Sequence, residues 1–177
     1  MVGLEIIPSL TSVRGCTGAD VPAAYLEQWL TGYEQFEGLE LDPDFQRGHV
    51  WTPEQQTRYI EHRLRGGISG GTLYWNCSGI KKGKHPLQIV DGKQRLTAIR
   101  KFLADEVAVF GGYKFSDFDE DAQRAMFGVI GTLSLRMEVN NLQTRAEVLQ
   151  WYLELNEGAV AHTSEELSRV RALLEAE

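Results

Sequence analysis

The stretch LQIVDGKQRLTAIRKFL, residues 87–103, constrains the fold of this 177-residue chain more than any other. Leu87, Ile89 and Val90 make a strand-like apolar run, and Leu96, Ile99 and Leu103 recur at the spacing of one helix face. Only Asp91-Gly92 separates the two periods, so a strand has to turn straight into a helix. Peptide N–H groups in the first turn of a helix have no intrahelical partner, and the helix dipole adds positive potential there. Such a corner is an anion cradle before its side chains are considered. Here Asp91 can cap the helix, Gly92 lets a ligand approach the backbone, Lys93 and Arg95 supply cations, and Gln94 can donate and accept hydrogen bonds. The set suits a phosphate, with Asp91 available to a magnesium ion or a ribose hydroxyl. The competing reading is a plain capped turn whose charges point into water.

The other elements follow from the same periodicities. Residues 20–36 put Val21, Tyr25, Leu26, Trp29, Leu30 and Tyr33 on one helical stripe, with Asp20 as N-cap. A short strand ending at Asp42-Pro43 follows. In TPEQQTRYIEHRLRGG, residues 52–67, Thr52 caps, Pro53 takes the first helical position, Gln55 completes a capping box, and Gly66-Gly67 stop the helix. Residues 67–79 open flexibly and become β-rich; a basic loop then leads into the strand at 87–91, so the two read as strands of one sheet. Beyond residue 103 the pattern predicts a hairpin about Gly111-Gly112, a short acid-started helix, and a strand in which Leu133, Leu135 and Met137 alternate with Ser134, Arg136 and Glu138. Two helices joined by GAVAHT end the chain. The whole is a single domain over 1–177 with an N-terminal helix and a C-terminal helical segment, α+β or irregular α/β in class.

Charge separates one region from the rest. The chain carries −7 overall, which by itself argues against nucleic acid. Residues 46–101, however, hold eleven Lys and Arg against three acids, a local balance of +8, with three of the four histidines. That asymmetry predicts an anion-facing surface, with solvated helix faces as the bland account. Two more constellations fall inside it. In FQRGHVW, residues 45–51, Gln46, Arg47 and His49 alternate with Phe45, Val50 and Trp51, so aromatics can anchor a loop whose polar residues face one cavity; a structural loop with Arg47 paired to an acid such as Asp44 is the alternative. On the second helix Gln55, Arg58, His62 and Arg65 form one polar, basic stripe, and Arg65, at the helix end before two glycines, can swing onto a phosphate. Cys16 and Cys77 have neither CxxC nor histidine spacing, which argues against a metal site or a disulfide framework. No apolar run reaches the roughly 18 residues of a membrane span, and no secretion signal opens the chain, so a cytoplasmic protein is expected.

LDPDFQRGHVWTPEQQTRYIEHRLRGG, LQIVDGKQRLTAIRKFL and LELNEGAVAHTSEEL occur in an order and spacing that resembles a known family. They are similar to the FQR–W, DGQQR and late Asn-x-Gly blocks of the ParB/sulfiredoxin-like superfamily, specifically the N-terminal domain of GmrSD-type restriction systems. The likeness covers about residues 20 to 170. It implies an α+β fold with a small mixed sheet flanked by helices, a DGQQR corner that binds nucleoside triphosphate with Mg²⁺, and hydrolysis coupled to action on DNA. Carried over by position, Asp91, Gly92, Gln94 and Arg95 match D, G, Q and R; Gln46 and Arg47 match the FQR pair; Asn156 and Gly158 match the late block. Lys93 departs by replacing the first Gln, and GGISGG replaces a Gly-aromatic-Pro-Ile stretch. No Cys lies near Asp91, which argues against sulfiredoxin chemistry, and an HNH nuclease is not expected within these residues.

The expectation is a nucleotide-binding and NTP-hydrolysing domain that acts on DNA through the basic segment, or that controls a DNA-acting or defence partner. Asp91, Gln94, Arg95 and Arg47 would be catalytic, with Asp91 on the metal; Gln46, Arg47, Arg65, Gly92, Lys93, Gln94, Arg95 and Asn156 would bind the nucleotide. Arg47 or Arg65 would neutralise charge at the transferred phosphoryl group. One alternative is a non-catalytic module that binds nucleotide, DNA or a host or defence protein, consistent with Lys93. Another is a metal-dependent ParB-like nuclease joining Asp91 to Asp42 and Asp44.

Overall fold

A computed structural model describes residues 17–36, 38–46, 51–78, 87–128, 131–157 and 164–177. The five strands are β1 (Thr17–Val21), β2 (Leu39–Glu40), β3 (Thr72–Asn76), β4 (Leu87–Asp91) and β5 (Leu135–Asn140). The helices are α1 (Leu26–Phe36), α2 (Pro53–Leu64), α3 (Lys93–Leu103), α4 (Glu120–Phe127), α5 (Arg145–Glu157) and α6 (Ser164–Glu175). One mixed sheet runs in the order β1-β5-β3-β4-β2. β1 pairs with β5, and β3 with β4, antiparallel; β5 with β3, and β2 with β4, pair parallel. The class is α+β, as the sequence predicts.

Period-2 alternation sends the strand side chains into two apolar clusters. Leu73, Trp75, Leu87, Ile89, Leu135 and Met137 pack with Leu26 and Leu30 of α1, Ile60 of α2, and Leu96, Ile99 and Phe102 of α3. Tyr74 and Val90 point the other way, into a smaller cluster with Phe45, Leu142 and the Val148–Leu153 stretch of α5. Helices therefore cover both faces. Each fully buried Leu, Ile or Phe contributes about 1.5–3 kcal/mol, so α3, with Leu96, Ile99 and Phe102 inside, is firmly seated.

The beginning of the fold differs from expectation. Residues 17–21 are an edge strand, and α1 starts only at Leu26, after a short 3-10 turn at Ala23–Tyr25. Asp20 is thus no helix cap: it lies on β1 opposite Arg136, 3.3 Å from that guanidinium. Tyr25, placed on the inward stripe, is instead 60% exposed, because the 3-10 turn breaks the 3.6-residue phase ahead of Leu26. Four of the five β1 residues are exposed, so the strand is held by ladder pairing and leaves little apolar pattern. The hairpin expected at Gly111-Gly112 shrinks to a single bridge between Val109 and Tyr113. Helix α2 meets its prediction in full: Thr52 and Gln55 form the capping box, Pro53 opens the helix and Gly66, at φ +85°, follows its end. No helix among the described residues is long and apolar enough to cross a membrane.

Candidate functional site

The β4–α3 corner is built around one glycine. Gly92 is the N-cap of α3 at φ +105°, and a Cβ there would sit 2.4 Å from Cδ2 of Leu73. Any other residue would be strained in that backbone conformation and would have to push the buried Leu73 side chain aside. No side chain caps the helix, and its first turn holds no acid. Asp91 does not cap, contrary to expectation; its carboxylate takes the Arg95 guanidinium one turn along. Arg95 also donates through Nη1 to the carbonyl of Thr72 at 2.8 Å, which ties α3 to β3. The Lys93 ammonium pairs with Asp42 in the loop after β2. Gln94 accepts the Trp51 peptide N–H at 3.2 Å, and Gln46 donates through Nε2 to the carbonyls of Ile89 and Val90, both at 2.8 Å. Both ends of FQRGHVW are thereby fastened beside the corner.

A groove of about 390 Å³ lies against it. Gln55, Arg58 and His62, three of the four residues of the α2 stripe, line one wall; Trp51 and Tyr59 add aromatic surface, and Ser69, Gly70 and Arg95 complete it. The two rings meet edge-on with centroids 5.3 Å apart. The Tyr59 hydroxyl donates to the Gly70 carbonyl at 2.9 Å, and burial pushes its pKa up against the opposing charges of Arg63 and Arg95. Arg58 is exposed at the groove and within electrostatic reach of Glu54. Sequence reasoning placed the polar stripe but missed Tyr59, Ser69 and Gly70; the i, i+4 spacing of Gln55 and Tyr59 was the one local signal that could have found the tyrosine.

The model of the GmrSD restriction endonuclease N-terminal domain matches residues 26–171. The chain belongs to this family. No curated protein and no solved structure matches it.

For this GmrSD-type domain the structure gathers Gln46, Asp91, Gly92, Lys93, Gln94 and Arg95 at one corner. Arg65 is elsewhere. It follows the last residue of α2 and turns onto the Phe110 ring at 5.1 Å and the Glu61 carboxylate at 3.4 Å, because the helix ends one residue before it and the stripe ends too. Asn156 is buried in α5, where its amide donates to the Tyr152 carbonyl at 2.6 Å. Arg47, His49 and Gly158 lie outside the described residues.

Two cations of the basic segment are engaged within the fold. Arg63 is buried and spends its guanidinium on the carbonyls of Thr132, Ile68 and Ser134, at 3.1, 3.3 and 2.7 Å. Arg100 forks onto Glu27 at 2.6 and 3.0 Å. Lys81, Lys82 and Lys84 lie outside the described residues. The carboxylates named for a nuclease are also dispersed: Asp91 faces Arg95, Asp42 faces Lys93, and Asp44 is held by Arg145 at 2.9 and 3.1 Å. Hydrogen bonding from Arg145 keeps Asp44 below the usual carboxylate range. No group of three or more metal-ligating side chains occurs among the described residues.

Proposed function

We propose that this domain binds a nucleoside triphosphate at the β4–α3 corner and hydrolyses it, in a restriction or defence system whose DNA-acting step it performs or controls. One observation carries the reading: an 11-residue helix whose N-terminus has no side-chain cap and no first-turn acid, but has Lys93 and Arg95 on it, opens beside an aromatic-walled groove. Phosphates would take the N–H groups after Gly92 together with Lys93, Gln94 and Arg95, and the nucleoside would extend toward Trp51 and Tyr59. The ParB/sulfiredoxin-like ancestry implied by the three motifs belongs to the same reading.

Asp91 is the acidic residue of the corner, and magnesium characteristically takes one or two carboxylates with phosphate oxygens and water. The donor set among the described residues therefore fits a magnesium ion carried in on the triphosphate. Such an ion would neutralise charge on the bridging and terminal phosphate oxygens. Arg95 and Arg47 are the cations assigned to charge developing on the transferred group, the main electrostatic task of phosphoryl transfer. Gln94 would orient water or phosphate through the amide that now holds Trp51.

Phosphate release from each of the four ribonucleoside triphosphates with Mg²⁺ tests this. Wild type is expected to turn over, and Asp91→Ala to lose about two orders of magnitude or more. Equal release in both ends the enzymatic reading. The engagement of Lys93, which stands in place of the family's Gln, with Asp42 favours a second reading, a binding module without turnover. Calorimetry showing nucleotide heat without phosphate release would select it.

A further inference from the structure

The loop between β2 and α2 holds Asp42 in place opposite Lys93. β2 runs parallel to β4 in the register Leu39↔Leu87 and Glu40↔Gln88, so the chain leaves β2 toward the end of β4 where the corner lies. It is then pinned three times. The N–H of Gln46 closes a turn on the Pro43 carbonyl at 3.0 Å, and the Gln46 amide bonds two carbonyls of β4. Phe45 is buried against Tyr152, ring centroids 5.4 Å apart. The Asp44 carboxylate is gripped by Arg145, and its carbonyl accepts from Arg169 at 3.0 Å. A loop so fastened presents Asp42 at a fixed place.

The pair it makes is lopsided. The Lys93 side chain is 13% exposed and that of Asp42 75%. The Lys93 side chain is thus mostly covered, while the carboxylate it pairs with stands largely in water. An anion arriving from solvent at the helix N-terminus meets Lys93 already neutralised by a carboxylate it can displace.

We propose that Asp42 is an internal competitor for the phosphate site: it holds Lys93 when no nucleotide is bound and gives it up when phosphate arrives, so that it sets the affinity and reports occupancy to the loop. This rests on the nucleotide reading above and adds to it a residue outside the family motifs. The exchange is ion-pair for ion-pair and involves no covalent step. It also gives Lys93 a role that glutamine would fill only in part, since a neutral amide can hydrogen-bond to Asp42 but cannot neutralise it. The loop's other anchors run to β4, α5 and α6, so release at Asp42 leaves the segment tied from Asp44 onward.

The sign of one mutation separates this from a structural role. A supporting contact weakens binding when cut; a competing contact strengthens it. Titration calorimetry of the full chain with each ribonucleoside triphosphate plus Mg²⁺, and with inorganic triphosphate, is expected to show about three- to fivefold tighter binding for Asp42→Asn, in line with the weight of a solvent-facing ion pair. Lys93→Gln is expected to bind about tenfold more weakly, and adding Asp42→Asn to it to change nothing further. Thermal melts confirm that each variant is folded. Binding that appears only in Asp42→Asn supports the proposal most strongly. Wild-type binding with Asp42→Asn unchanged or weaker overturns the proposal and leaves the nucleotide reading standing. No heat in wild type or Asp42→Asn overturns both.

Discussion

Two helix N-termini in this chain solve the same problem in opposite ways. At α2 the chain seals the end itself: the Thr52 hydroxyl accepts the Gln55 N–H at 3.3 Å, the Gln55 side chain accepts the Thr52 N–H at 2.8 Å, Pro53 removes a donor, and Glu54 faces the positive end of the dipole. At α3 none of these devices is present. Gly92 brings no cap, and the first turn carries Lys93 and Arg95, cations at the end of a helix that repels them. The first arrangement is what stability favours. The second is what an external anion would complete, and the contrast within one chain supports the proposal that the uncapped end of α3 serves a ligand.

The comparison breaks most visibly at Gly92. Gly92→Ala forces a side chain into the left-handed region and onto Leu73, with an expected loss of about 2–4 kcal/mol in denaturant titration. A loss below about 0.5 kcal/mol would mean that the corner is not built as described. Next in size is the effect of Lys93→Gln on nucleotide affinity, about tenfold or ~1.4 kcal/mol, with the melting temperature nearly unmoved because Asp42 is exposed. Thr52→Ala should do the reverse: about 1 kcal/mol of stability, roughly 3 °C in melting temperature, and no change in nucleotide affinity. If both variants moved both quantities, the two helix ends would not be separable in function.

How much of this could be read from sequence follows the range of the interactions. The α2 capping box spans residues 52 to 55 and the strand–glycine–helix corner spans neighbours, so both are written in local order. β1 is not, because an edge strand with four exposed residues has no apolar alternation and exists only through β5, more than a hundred residues away. Nor are the assignments of charge. Arg63 and Arg65 look alike two positions apart, yet one is buried among three carbonyls and the other stacks on Phe110, since the helix ends between them. Gln46 was placed in the site by its motif, but its bonds to β4 lie 43 and 44 residues away and could not be foreseen. Asp42 was named only as a nuclease carboxylate, and its pairing escaped for the same reason: its partner Lys93 is brought to it by the parallel register of β2 and β4. The residue types proposed for phosphate stand together in the sequence, while the partners that hold them depended on the sheet.

The smallest expected effect tests the sealed end. Glu54 is fully exposed, and its pKa is lowered first by the hydrogen bond from Thr52 and then by its own backbone. Because the folded-state value lies below the ordinary 4.5, the carboxylate contributes stability that is present above that pH and is lost as pH falls through the lowered value. Wild type should therefore give up a slight part of its melting temperature as pH falls from about 5 to 3, beyond the loss from carboxylates elsewhere such as Asp44. Glu54→Gln should flatten that portion of the curve, and Thr52→Ala should flatten it too, since the hydroxyl is the first cause of the shift. The first turn of α3 carries no acid and so adds no matching slope. An acid slope unchanged in both variants would show that the seal at α2 is made by the Thr52–Gln55 box alone, with the glutamate a bystander.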